Sequence, residues 1–398
     1  MKHIKNTIGI IFLLFIISPL LSQRISKKEM RRLVDENLQL AVKQYKYMQQ
    51  LLPADKLPRS YDSVNKKLIT SGSDWWCSGF YAGTLWYLYD YSNDESLKAE
   101  AMRSTALLEK EKWNTGTHDL GFMLYSSYGQ GYRITKNNLY KETLLTGAKS
   151  LATRFNTTVG CIRSWNNSQW QFPVIIDNMM NLEFLCEMTK LGGDSLFYNI
   201  AVTHANTTIK NHYRRDYSSW HVIDYDTLTG KKIKGQTAQG AFDESAWARG
   251  QSWGLYGYTM MYRETGKKEY LQQAHNIASF LLHHPNLPSD EIPYWDYNAP
   301  GIPNTYRDAS AAAIMCSALL ELAKYGSKTQ KEEYLKTATT IIKNLSSSYR
   351  AKANTNGGFL LKHSVGSIPN NSEVDVPLSY ADYYFIEALI RYRDWYLK

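Results

Sequence analysis

Two aspartates open apolar runs in a way that suits proton transfer. Asp119 follows His118 in HDLGF, and Asp177 stands between the apolar stretch 172–176 and Asn178, Met179 and Met180. A carboxyl half-sunk among apolar side chains has its pKa raised, which makes it a proton donor near neutral pH. A plain helix cap is the stronger reading of either residue on pattern alone, because aspartate is common and stabilising at helix starts. Asp74, Asp308 and Asp382 share the same placement, so most of these acids must be structural. Arg249 opens a further apolar run, and an arginine there calls for an anion, for which a substrate carboxylate is a natural partner. Trp75, Trp76, Trp165, Trp170, Trp220, Trp247, Trp253 and Trp295, with Tyr294 and Tyr297, crowd the element ends. Their faces can stack on sugar rings, although core packing accounts for about half of them.

Several chemistries are missing. The sequence has no HExxH, P-loop, GxGxxG or GxSxG motif, and His221, His275, His283, His284 and His363 form no metal-ligand set. No cofactor and no metal are expected. His283 and His284 adjoin Pro285 and read as a helix end.

The elements that must carry these residues repeat. Six runs dense in small and aromatic residues start at Ser73, His118, Ile175, Ala248, Tyr306 and Tyr380, and read as buried helices. Between them lie amphipathic, lysine- and glutamate-rich segments at 28–52, 95–112, 138–155, 198–212, 268–283 and 331–348, which read as surface helices. Short connections make consecutive helices antiparallel neighbours. The expected fold is all-α, an (α/α)6 barrel of six helical hairpins spanning 23–398 as one catalytic domain. In such a ring all the inner helices start on one rim, which converges Asp119, Asp177 and Arg249 on one mouth. The insertions 213–245 and 287–305 are expected to cover that rim, with short strands near 220–225.

Residues 1–22 read as a secretory signal peptide, with Lys2 and Lys5 before an apolar run at 8–17 and small Ser22 at the cut. Export to the periplasm or beyond is expected, without stable membrane association. Cleavage removes Lys2 and Lys5 and no acid, so the formal charge of +9 becomes +7. The excess is spread through the chain, which argues against nucleic-acid binding and favours anionic small substrates such as acidic sugars. Cys77, Cys161, Cys186 and Cys316 lie in apolar or aromatic surroundings and read as buried thiols.

HDLGF from His118, WQFPVIIDNMMNLE from Trp170, and the series HVIDYD, TAQG and WARGQSWGLYGY from His221 resemble unsaturated glucuronyl hydrolases. WCSGFYAGTLW from Trp76 and SYADYYFIEAL from Ser379 extend the resemblance over nearly the whole chain. It implies an enzyme that removes the nonreducing-terminal 4,5-unsaturated uronic acid from lyase-generated glycosaminoglycan oligosaccharides of chondroitin, heparin or hyaluronan type. The implied reaction is hydration of the C4=C5 vinyl ether, with Asp177 as acid and base and Asp119 as supporting carboxylate. By the same resemblance Trp76, His118, His221, Gln239, Arg249 and Trp253 line the sugar pocket. Some relatives read a sulfated second sugar through Ser-x-x-Ser-x-Lys; here KHSVGSIPN offers Ser364 and Ser367, with Pro369 in the lysine place. Three alternatives stand beside this reading: an unsaturated rhamnogalacturonyl hydrolase on pectin fragments, a sugar epimerase on the same barrel, and a non-catalytic glycan-binding barrel.

Overall fold

The computed structural model describes residues 25–398; the signal peptide expected at 1–22 lies outside them. Twelve helical positions alternate between outside and inside. The outer helices are α1 (Lys27–Leu51), α3 (Glu95–Ala106), α5 (Asn138–Ala152), α7 (Ser195–His212), α9 (Lys268–Leu282) and α11 (Lys328–Ser347). The inner ones are α2 (Gly79–Ser92), a π-helix (Gly121–Gly129) continued by α4 (Gln130–Thr135), α6 (Leu182–Lys190), α8 (Ala248–Thr265), α10 (Ala309–Leu322) and α12 (Ser379–Tyr392).

Burial follows the two sequence patterns. α1 buries one stripe, Met30, Val34, Leu38, Ala41, Tyr45 and Met48, at helical spacing. α10 is buried along its whole length, as its run of Ala, Ile, Leu and Cys requires. Each large apolar side chain so buried contributes about 1.5–3 kcal/mol. The inner helices pack in sequence, α2 on the π-helix, α6 on α8, α8 on α10, α10 on α12, and α12 back on α2. That last contact closes the ring, so the expected barrel is the observed architecture.

The two ends differ sharply. Inner-to-outer connections at 93–94, 136–137, 191–194, 266–267 and 323–327 are short, and side-chain caps at Asp94, Asn137, Asp194 and Ser327 start the outer helices there. Outer-to-inner connections are long and carry small antiparallel sheets: β1 (Leu57–Asp62) with β2 (Lys67–Ser71), β3 (Phe155–Asn156) with β4 (Cys161–Ile162), β5–β6–β7 (Pro173–Ile175, Val222–Tyr225, Lys232–Gln236), and β8 (Ser364–Ser367) with β9 (Ser372–Val376). The strands expected near 220–225 are thus present. On this rim α2, the π-helix, α8 and α12 start without a side-chain cap, so the positive ends of their dipoles face the mouth.

An aromatic layer of Phe80, Phe122, Trp253 and Tyr384 closes the barrel below that mouth, with ring centroids 5.2–5.8 Å apart. All four cysteines are buried and free. Among the described residues no helix is long and apolar enough to cross a membrane.

Candidate active site

The β5–β6 pair builds the first half of the site. Ile175 pairs with Val222, and the Ile176 N–H donates to the His221 carbonyl at 3.0 Å. The chain then turns through a 3-10 segment, Ile176–Asn181, which carries Asp177 beside the His221 ring. From the end of β7 the backbone folds back over that ring, and the N–H groups of Ala238 and Gln239 donate to its Nδ1 at 3.0 and 3.2 Å. A ring nitrogen that accepts carries no proton, so the proton is on Nε2. Nε2 faces Asp177 Oδ2 at 3.7 Å. Burial, with the Arg249 cation second, holds His221 down to about 3, so the ring stays neutral.

Asp119 comes from the start of the π-helix. Gly121 lets that helix meet the Asp177 turn: a Cβ there would stand 2.6 Å from Asn181 Oδ1 and 2.8 Å from its Cα. Asn181 Oδ1 accepts the Phe122 N–H at 3.2 Å and pins the two segments together. Thr117 Oγ1 donates to Asp119 Oδ2 at 2.8 Å, and His118 Nε2 lies 3.2 Å from Oδ1. His118 is itself buried and held down to about 3, chiefly by burial. Its Nδ1 lies 3.5 Å from Ser164 Oγ, which accepts the Ile175 N–H at 3.0 Å.

Burial pushes both carboxyls up to about 7. Thr117 and Arg154 oppose this at Asp119; Arg249 opposes it at Asp177, and the negative Asp119 adds to it. The arrangement therefore favours one proton on Asp177 beside an ionised Asp119.

The cap reading fails for both residues, since neither side chain caps its helix. It holds for Asp308, which caps α10 through the Ser310 N–H at 2.9 Å. Asp74 is exposed and lies before α2 begins. Asp382 is also raised to about 7, but its oxygens accept from the N–H groups of Leu360 and Leu361 at 2.7 and 2.8 Å. Asp177 Oδ2, by contrast, has no hydrogen-bond partner. A raised pKa does not separate these acids; the free oxygen does.

The other expected residues fall into two groups. Around the mouth, Trp76 is half-buried against Tyr380 and Phe122 at 4.9 and 5.6 Å between ring centroids. Gln239 lines a cleft of about 780 Å³ with Thr117, Trp165, Asn166, Gln169 and Asn370. Below it, Trp253 is fully buried and its indole N–H has no hydrogen-bond partner; it forms floor, not a stacking face. Arg249 is also buried, and its anion is Asp308, with Nη1 3.3 Å from Oδ2. Its remaining bonds go to the Val365 and Gly366 carbonyls and to Gln239 Oε1. Arg249 thus has an anionic partner within the protein and ties β8 to the mouth. Ser364 and Ser367 lie on that strand: Ser364 is wholly buried, while Ser367 Oγ accepts from Asn370 Nδ2 at 2.8 Å on the cleft side. Sequence reasoning missed Thr117, Arg154, Ser164 and Asn181, small or loop-borne residues whose importance comes only from cross-chain contacts. Among the described residues no group of three His, Cys, Asp or Glu could hold a metal ion.

No family model matches the chain. Curated relatives do. It is 45% identical over 377 residues to an unsaturated glucuronyl hydrolase of Formosa agariphila, covering 94% of each chain. It is 31% identical over 381 residues to an unsaturated chondroitin disaccharide hydrolase of Streptococcus pneumoniae, again covering 94% of each. Among solved structures it superposes, at TM-score 0.89 and 48% identity, on an unsaturated glucuronyl hydrolase specific for heparin, covering 91% of this chain and 97% of that one. Barrel, paired buried acids and near-full-length likeness agree, and the chain belongs to the unsaturated glucuronyl hydrolase family.

Proposed function

We propose that this enzyme hydrates the C4=C5 double bond of the terminal unsaturated uronic acid on glycosaminoglycan oligosaccharides left by polysaccharide lyases. Asp177 delivers its proton to C4, and the carboxylate so formed takes a proton from the water that adds to C5. The hemiketal at C5 then opens and the second sugar leaves. Asp119, ionised beside it, keeps the proton on Asp177 before the step and hydrogen-bonds substrate hydroxyls. The observation that carries the reading is the buried carboxyl of Asp177, which no protein group ion-pairs and whose Oδ2 lies 3.7 Å from the neutral His221 Nε2–H. A general acid must still hold its proton near neutral pH, and the carboxylate it leaves needs a waiting donor.

Heparin and chondroitin preferences are named for relatives. The cleft here is walled by Thr117, Asn166, Asn167, Gln169, Gln239 and Asn370; these neutral amides and a hydroxyl suit the hydroxyl and acetamido groups of a second sugar. Export from the cytoplasm goes with the proposal on the strength of residues 1–22 alone. The test follows loss of the ultraviolet absorbance of the conjugated C4=C5 unit with purified protein and unsaturated heparin, chondroitin and hyaluronan disaccharides. Decay on at least one is expected, and an unchanged spectrum across the panel overturns the proposal.

A further inference from the structure

Arg154 follows α5 and is buried at the cleft wall, 8% exposed. Its Nε donates to the Arg163 carbonyl at 2.8 Å and its Nη1 to the Thr115 carbonyl at 2.6 Å. Nη2 donates to the Ser164 carbonyl at 3.2 Å and to Asn166 Oδ1 at 3.1 Å. All four acceptors are neutral oxygens, so a buried cation is held here without an ion pair among them. Burying a charge is costly unless it is paired and hydrogen-bonded, and here hydrogen bonds alone hold it.

Two loops meet on this one guanidinium. The first, 115–117, leads to Thr117, which donates to Asp119. The second, 163–166, carries Ser164 beside His118, Trp165 packed 5.9 Å from the His221 ring, and Asn166 in the cleft. We infer that Arg154 is the positioning residue of this active site: it clamps the Asp119 loop to the substrate-facing wall and sets its unpaired charge behind Asp119. The inference rests on the roles just proposed for Asp119 and Asp177.

Electrostatics agree with the geometry. Arg154 acts to keep Asp119 ionised, and Asp119 is the carboxylate that in turn favours the charged form of Arg154. The groups facing Asp119 are His118 on its own segment, Arg154 after α5 and Asp177 on the 3-10 turn; Arg163 stands next to Arg154. His118 is neutral, so the cation that biases this acid is Arg154.

Two variants of the full chain separate clamp from charge. Arg154→Lys keeps the cation but loses the planar fork. It should lose about 10²-fold in kcat/KM through KM, with the acid limb of the pH–rate profile unmoved. Arg154→Gln removes both; the acid limb should also move to higher pH, because Asp119 then protonates sooner. A purely structural arginine would lower activity at every pH and leave that limb in place. Unchanged KM in folded Arg154→Lys overturns the clamp, and an acid limb of Arg154→Gln coincident with that of the parent overturns the charge. If Arg154→Gln gives no cooperative melt, the KM of Arg154→Lys decides alone. A parent chain that leaves the chromophore intact sinks the proposed function instead.

Discussion

His221 Nε2 lies 3.7 Å from Asp177 Oδ2 while two backbone N–H groups occupy Nδ1 on the other side of the ring. The imidazole is therefore a fixed neutral donor, aimed at the oxygen that becomes negative once Asp177 has given up its proton. Such a preset donor is worth about 10²–10³ in rate where charge develops. His221→Ala should lower kcat by about that factor on a disaccharide substrate. Because the ring is neutral above about pH 3, it should contribute no limb to the parent's pH profile near neutrality. A kcat within a few-fold of the parent would remove His221 from the chemistry.

Asp177 and Asp382 share a raised pKa of about 7 and differ in what their oxygens touch. Asp177→Asn should abolish nearly all turnover and keep binding, measured by calorimetry with the unsaturated disaccharide. Asp382→Asn should keep turnover and lose stability instead. Its amide nitrogen would face N–H donors from Leu360 or Leu361, at a cost of about 1–3 kcal/mol in stability with kcat kept. A glycan-binding barrel without activity would keep its function in both variants.

The barrel was legible because its physics is periodic. Amphipathic stripes such as that of α1 and unbroken apolar runs such as that of α10 mark outer and inner helices without reference to any partner. Asp177 and Asp119 were only half legible. Their types and apolar neighbours suggested raised pKa values, yet pattern alone ranked them as caps, and the resemblance singled them out. What separates Asp177 from Asp382 is the occupancy of one oxygen, set by loops distant in sequence; Asp119 has both oxygens near partners, Thr117 and His118, on its own segment. The Arg249–Asp308 pair was not legible for the same reason as Asp177: Asp308 opens the next inner helix and is a neighbour only once the ring closes. The π-helical form of Gly121–Gly129 carries no periodic signal either, since its apolar residues read equally well as an α-helix.

Gly121 sets the spacing of the two acids. Gly121→Ala places a methyl 2.6 Å from Asn181 Oδ1 and 2.8 Å from backbone, so the π-helix and the Asp177 turn must move apart. A shift of about 1 Å at such a site can cost about 10²-fold in rate, and overpacking costs about 1–3 kcal/mol. Expected is a folded variant, by circular dichroism, with kcat lowered about 10²-fold. Parental kcat would mean that Asp119 and Asp177 need no fixed separation.

The same acids should make the protein less stable as pH rises. In the folded chain burial holds each carboxyl up to about 7, whereas an unfolded aspartate titrates at about 3.9. Between those values the folded state binds more protons than the unfolded one, so unfolding free energy falls as pH increases through the window and levels off above it. The favourable contribution is complete only below the unfolded pKa. Asn at either position carries no charge to bury. Asp177→Asn and Asp119→Asn should therefore melt higher than the parent at pH 8 and gain nothing at pH 4, in calorimetric scans at both values. Equal melting temperatures at pH 8 would mean that the carboxyls titrate in their ordinary range. Asp177 would then be ionised at neutral pH, with no proton to give to C4, and the acid would have to come from elsewhere.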